Sequence, residues 1–186
     1  MTRLLLVGPP GAGKGTQAAV LSEKLSIPHI STGDLFRAHI DNRTELGVSV
    51  KQILDSGRLV PDEVTNQLVI ERLGEPDTDA GFLLDGYPRN VVQADVLGKY
   101  LADVDKKLDA VVQLHVDEEV VVGRLLSRGR ADDTEDVIRH RQGVYRSETA
   151  PLLDYYRDIL VTVDGVGGVE EVTERVLTAL RAPDRT

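Results

Sequence analysis

The residues of this chain best suited to chemistry are a glycine-rich run, Gly8-Pro9-Pro10-Gly11-Ala12-Gly13-Lys14-Gly15-Thr16, and a dispersed set of arginines: Arg37, Arg89, Arg124, Arg128, Arg130 and Arg141. Glycines let the backbone turn N–H groups toward a polyphosphate, and Lys14 adds a mobile cation for the β and γ phosphates. A tight turn alone would account for the glycines but not for Lys14. The residue after Lys14 is Gly15, so the hydroxyl of the strict phosphate-loop motif arrives one position late, at Thr16, which leaves its contact with magnesium open. Asp85 closes the apolar run Phe82-Leu83-Leu84 and is placed to orient magnesium or its waters beside that loop; capping a turn is the other use for it. Arg89 follows Gly86-Tyr87-Pro88, where a guanidinium can grip a phosphate with two prongs, unless it serves as a plain surface ion pair. Arg124 and Arg128 stand four apart, one helical turn, and should converge on one target. Such an inventory suits the binding of a polyphosphate and chemistry at its phosphoryl groups.

Elements must then hold those groups in place. Arg3 to Val7, Pro28 to Ser31, Phe82 to Asp85, Ala110 to Val116 and Ile159 to Val163 read as strands, and helix-period segments fill nearly every gap. Unbroken apolarity in Leu4-Leu5-Leu6-Val7 and Phe82-Leu83-Leu84 predicts strands buried on both faces, as a parallel sheet requires. The expected fold is α/β, a doubly wound parallel sheet of about five strands. The glycine-rich run falls between the first strand and a helix, so the helix adds its positive dipole end to the loop. Residues from about 33 to 73 carry helical patterns without a strand, broken by Gly57 and Pro61, and read as an insertion. A polar loop, Gly129-Arg130-Ala131-Asp132, separates a helix ending near Arg128 from one starting after Asp133, with Asp133 as its expected N-cap. Thr32, read alone, is a helix N-cap too.

With 186 residues the chain is long enough for one domain with small insertions. A net charge of -9 argues against nucleic acid or an anionic membrane as partner, so an anionic ligand must be caught by locally placed cations. The absence of cysteine rules out disulfides and thiolate metal sites and suits a reducing cytosol. No apolar run approaches the roughly 18 residues of a membrane span, and a soluble cytoplasmic protein is expected. The histidines His29, His39, His115 and His140 show no catalytic partner in sequence. Nearby acids at 132, 133, 135 and 136 could pair with the arginines, but are expected to hold the loop open and cap the next helix.

Together, Gly8 to Thr16, Ser31-Thr32-Gly33-Asp34, Gly81 to Arg89 and Arg124 to Arg141 resemble the adenylate kinase family in order and spacing, over nearly the whole chain. The lid position holds few residues, so the likeness is to the short-lid forms and implies no structural zinc. The resemblance implies a P-loop NTPase-type fold: a core of 1–30, 74–128 and 133–186, an AMP-binding insertion of about 31–73 and a short lid of about 129–132. It implies ATP contacts from Gly11, Ala12, Gly13, Lys14, Gly15, Thr16, Arg124, Arg128 and Gly167. It puts Thr32, Gly33, Arg58, Leu59, Val60, Gly86 and Gln93 around AMP, with Arg37 and Arg89 on its phosphate and Arg130 and Arg141 between the substrates. Asp34 and Asp85 would hold magnesium through water. Arg58 departs from the lysine common at its place, and Gly165, Gly167 and Gly168 would let the donor adenine approach backbone, though a plain turn explains them equally well.

The acceptor implied is a phosphate monoester, already a nucleophile at neutral pH, so the reaction needs charge neutralisation and alignment, not a general base. Lys14, Arg89, Arg124, Arg130 and Arg141 are the catalytic candidates. A UMP/CMP kinase is the nearest rival; Thr32 and Gln93 favour AMP, while Asn90 leans weakly the other way. A non-catalytic nucleotide sensor would keep Lys14 but not the scattered arginines. The expected partners are ATP, AMP and ADP, with magnesium as cofactor and the chain a monomer.

Overall fold

The computed structural model describes residues 1–55, 60–129 and 133–182. Five strands, β1 (Thr2–Val7), β2 (His29–Ser31), β3 (Gly81–Asp85), β4 (Ala110–His115) and β5 (Leu160–Asp164), form one all-parallel sheet in the order β2-β3-β1-β4-β5. Each lies within one residue of its expected bounds. The central strand shows why: Leu4 and Leu6 pack into one core cluster and Leu5 and Val7 into another on the opposite face. A strand covered on both sides has no polar face to alternate with. Burial of each such leucine contributes roughly 1.5–3 kcal/mol.

One face is covered by helices α1 (Lys14–Leu25), α6 (Glu118–Arg128) and α9 (Val169–Arg181), which supply Leu21, Val121, Leu125 and Val176 to the first cluster. The other is covered by α4 (Asp62–Leu73), α5 (Val91–Asp103) and the short α8 (Pro151–Tyr155), which supply Val69, Leu97 and Leu152 to the second. Between β2 and α4 lie α2 (Thr32–Asp41) and α3 (Glu45–Asp55), with no strand in that stretch. The two helices pack tightly: a Cβ on Gly47 would fall 1.9 Å from the His39 carbonyl oxygen, so only glycine fits. Helix α7 (Glu135–Val144) follows α6 and runs into a π-helical turn at Tyr145–Thr149.

Because β1 lies between β3 and β4, the chain leaves it toward one edge of the sheet and later returns to fill the other. The crevice beyond the carboxyl ends of the strands at such a reversal is where doubly wound sheets bind ligands. The glycine-rich loop, Ser31, Asp85 and Gly165 all stand at those ends.

Candidate functional site

The loop after β1 takes its shape from two glycines with positive φ, Gly11 at 85° and Gly13 at 91°. Gly11 is also pinned by packing, since a Cβ there would lie 2.9 Å from Leu125 Cγ. Gly13 caps α1, and no side chain covers the first N–H groups of that helix. Such uncapped N–H groups together with the dipole suit an anion. Lys14 folds back over the loop, its Nζ donating to Gly8 O at 2.7 Å and Pro9 O at 3.2 Å. Burial lowers its pKa to about 8; the Asp85 carboxylate opposes that shift and the Arg89 guanidinium adds to it. Lys14, Asp85 and Arg89 thus share one electrostatic neighbourhood across the ends of β1 and β3.

Beside the loop is a cleft of about 290 Å³ lined by Gly11, Gly13, Thr16, Arg124, Gly165 and Gly167. Arg124 bridges its two walls, donating from Nη1 to Gly11 O at 3.4 Å and from Nη2 to Gly165 O at 3.1 Å. Gln17 ties the same walls together, because its amide donates to Val169 O at 3.0 Å and accepts from Thr173 Oγ1 at 2.8 Å. Gly167 has φ 129°, a conformation that other side chains rarely adopt.

The second half of the site surrounds β2 and β3. Ser31, not Thr32, caps α2, its hydroxyl accepting from Asp34 N at 3.5 Å. Thr32 is therefore inside the helix, buried, with Oγ1 donating to Gly86 O at 3.3 Å. Arg37 pairs with Asp34 and lies over Gly33, whose Cβ position is 3.3 Å from Arg37 Nη1. Arg89 is exposed, with Nε donating to Gly86 O at 3.0 Å and its backbone N–H to Gln93 Oε1 at 2.7 Å. Gln93 is buried and also donates from Nε2 to Asp62 Oδ1 at 2.8 Å. Asn90 caps α5 by accepting from Gln93 N at 2.9 Å. Beneath this layer Tyr87 donates to Asn66 Oδ1 at 2.6 Å, and burial, with Asp62 nearby, pushes its hydroxyl pKa up.

Around the polar loop two expectations need correction. Thr134, not Asp133, occupies the N-cap position of α7, without a side-chain capping bond, and Asp133 has turned inward. Its carboxylate accepts from Arg128 Nε at 2.9 Å and from Nη2 at 2.7 Å, a two-pronged pair. Arg124 and Arg128 consequently do not converge: one faces the loop after β1 and the other Asp133. The physical reason is burial. A carboxylate with 0% side-chain exposure needs a cation more than a helix end needs a cap. Glu135 likewise pairs with Arg139. Arg141 sits in the last turn of α7, half-buried. Arg58, Leu59, Arg130 and Gly57 lie outside the described residues, while Val60 immediately precedes the Pro61 cap of α4.

The structure also groups residues that the linear pattern did not connect. His29, treated as an ordinary strand residue, has Nε2 3.3 Å from Asp85 Oδ2, because β2 and β3 are paired with His29 two residues short of Asp85's level. Asp62, Asn66 and Gln17 belong to this set as well. Their only sequence signal was polarity within helices, which a solvated face explains equally well.

Compared with known proteins, residues 6–161 match the family described as adenylate kinase. The chain is 61% identical to the adenylate kinase of Rhodococcus erythropolis and 62% identical to that of Nocardia farcinica, over 96% of this chain and 98% of each relative. The adenylate kinase of Mycobacterium bovis is 59% identical over the same shares.

Proposed function

The chain belongs to the adenylate kinase family and is a phosphotransferase that moves a phosphoryl group reversibly between ATP and AMP, and we infer how its own residues divide that work. The observation carrying the inference is the shared neighbourhood of Lys14, Asp85 and Arg89 at the ends of β1 and β3. The donor polyphosphate rests on the N–H groups of Gly11 to Thr16, with Lys14 turning from Gly8 O and Pro9 O to meet the β and γ phosphates. The donor base enters the cleft beside Gly165 and Gly167, and Arg124 reaches the transferring group from that cleft's wall. Arg37 and Arg89 hold the acceptor phosphate. Thr32, Gly33, Val60, Gly86 and Gln93 surround the acceptor base, together with Arg58 and Leu59. Arg130 and Arg141 join Lys14 and Arg124 around the transferred group, while Arg128 assists the donor phosphates.

The acceptor monoester attacks without a general base, since its second ionisation lies near pH 6. What the protein contributes is in-line placement and exclusion of water as the segments about 31–73 and 129–132 close. Among the described residues no three His, Asp or Glu side chains gather as a metal cage. The carboxylates of Asp85 and Asp34 suit magnesium carried by substrate phosphates and water, which needs only one or two from the protein. Asp85, half-buried beside Lys14, would hold it, with Asp34 assisting; bound there it would offset the crowded phosphate charge.

No helix among the described residues is long and apolar enough to cross a membrane. A cytoplasmic monomer is the state we propose. A coupled assay of ADP formed from ATP with AMP, UMP, CMP or GMP in turn tests the function. AMP is expected to give much the highest kcat/KM, and an equal or higher value with UMP or CMP would overturn the assignment of acceptor.

A further inference from the structure

Gln93 is held by two neighbours whose hydrogen-bonding sense cannot change. Its Oε1 accepts from the backbone N–H of Arg89 at 2.7 Å, and a peptide N–H only donates. Its Nε2 donates to Asp62 Oδ1 at 2.8 Å, and a carboxylate only accepts. Asn90 steadies that carboxylate from Nδ2, 3.3 Å from Oδ1 and 3.4 Å from Oδ2, while its own Oδ1 takes Gln93 N at 2.9 Å. The amide is therefore oriented from both ends. What remains is one N–H on Nε2 and one lone pair on Oε1.

That remainder matches one kind of base edge. A 6-amino purine presents a donor at C6 beside an acceptor at N1, which an amide meets by accepting with oxygen and donating with nitrogen. A 6-oxo purine presents the reverse, an acceptor at C6 and a donor at N1. An amide free to turn over would serve both.

We propose that Asp62 is a specificity-determining positioning residue: by accepting from Gln93 Nε2 it fixes the sense of the base-reading amide and so selects 6-amino over 6-oxo purine monophosphates as acceptors. Asp62 opens α4, the last helix of the segment inserted between β2 and β3, whereas Gln93 lies on α5 against the sheet. The lock consequently joins the two parts that must enclose the acceptor base. The inference rests on the reading of Gln93 as a base contact, and the test separates the two.

The measurement is the ratio of kcat/KM for AMP over IMP, which differ only in the group at C6 and the proton that it places on N1, in the parent and in Asp62→Ala, Asp62→Asn and Gln93→Leu, each checked for folding by circular dichroism. Asp62→Ala should narrow the ratio by about tenfold, the weight of one buried hydrogen bond, and through KM more than kcat. Asp62→Asn keeps a carbonyl acceptor and should restore the ratio to within about threefold of the parent. Gln93→Leu should narrow it at least as far as Asp62→Ala. If Gln93→Leu narrows the ratio and Asp62→Ala leaves it within twofold of the parent, the role of Asp62 is overturned and the base contact stands. Asp62→Asn as permissive as Asp62→Ala also overturns it, because charge and not hydrogen-bond sense would then be at work. A ratio that no variant moves overturns both.

Discussion

Raising the pH from 7 to 9 should weaken ATP binding by about tenfold, and through one side chain. The Lys14 ammonium is lowered to about 8 by burial, so roughly nine in ten molecules carry the charge at pH 7 and about one in ten at pH 9. ATP itself does not titrate there, its last phosphate ionisation lying well below. A polyphosphate at the loop favours the charged form, so binding above pH 8 must draw a proton from solvent. At pH 8.5 the uptake should be about three-quarters of a proton per ATP, read by calorimetry in buffers of different ionisation enthalpy. In Lys14→Met both the pH dependence and the uptake should vanish. A parent whose ATP affinity is flat from pH 7 to 9, or whose slope survives in Lys14→Met, would refute the reasoning.

The same shift fixes the sign of a stability effect. Between about pH 8 and the ordinary lysine value of 10.5 the unfolded chain holds a proton that the folded chain has lost, so stability gains from this residue as pH rises through that window. Below pH 8 the charged Lys14 costs the fold about 3 kcal/mol. Lys14→Met removes that cost but leaves Gly8 O and Pro9 O without their donor, a loss of about 1–3 kcal/mol. The variant should thus be about as stable as the parent at pH 7 while losing three or more powers of ten in turnover.

Gly11→Ala should lower Tm by several degrees and weaken ATP binding, because alanine is strained at φ 85° and its Cβ would meet Leu125. Asp133→Ala removes a fully enclosed carboxylate from Arg128, which is 38% exposed and can partly rehydrate, so urea denaturation should show a loss of about 1–3 kcal/mol. Arg89→Ala should depress kcat with every acceptor by roughly two to four powers of ten, and Arg89→Lys should rescue it poorly for lack of a two-pronged geometry; steady-state kinetics check both.

Elements and motifs that depend on neighbours in sequence were readable from it. The buried strands announced themselves as unbroken apolar runs, and the loop from Gly8 to Thr16 as a strand, glycines and a helix in succession. Contacts made by packing were not. Whether Asp133 caps α7 or seals Arg128 depends on how deeply its own side chain is buried, and no residue spacing records depth. Nor could Ser31 be told from Thr32 as the cap of α2, since both side chains qualify and the start of the helix differs by one residue. Asp62 and Gln93 are 31 positions apart and meet only because α4 and α5 cover the same face of the sheet. The histidine beside Asp85 was hidden in the same way, by the register of β2 on β3.

The way the cations are held explains how an acidic protein keeps a polyanion site ready without ligand. Lys14 lies on the carbonyls of Gly8 and Pro9, Arg124 on those of Gly11 and Gly165, and Arg89 on that of Gly86. A carbonyl dipole stabilises a cation less than a carboxylate does, so an arriving phosphate displaces it at small cost. Arg128 and Arg37 are held by carboxylates instead, on Asp133 and Asp34. Freeing Arg128 would cost its two-pronged bond to the enclosed Asp133, whereas the exposed Arg37–Asp34 pair is weak and screened by salt. If these cations take up phosphate as proposed above, the carbonyl-held ones and Arg37 should do so at less cost than Arg128, whose bond to Asp133 must first be given up. Raising ionic strength should therefore loosen the exposed Arg37–Asp34 pair more than the enclosed Arg128–Asp133 pair.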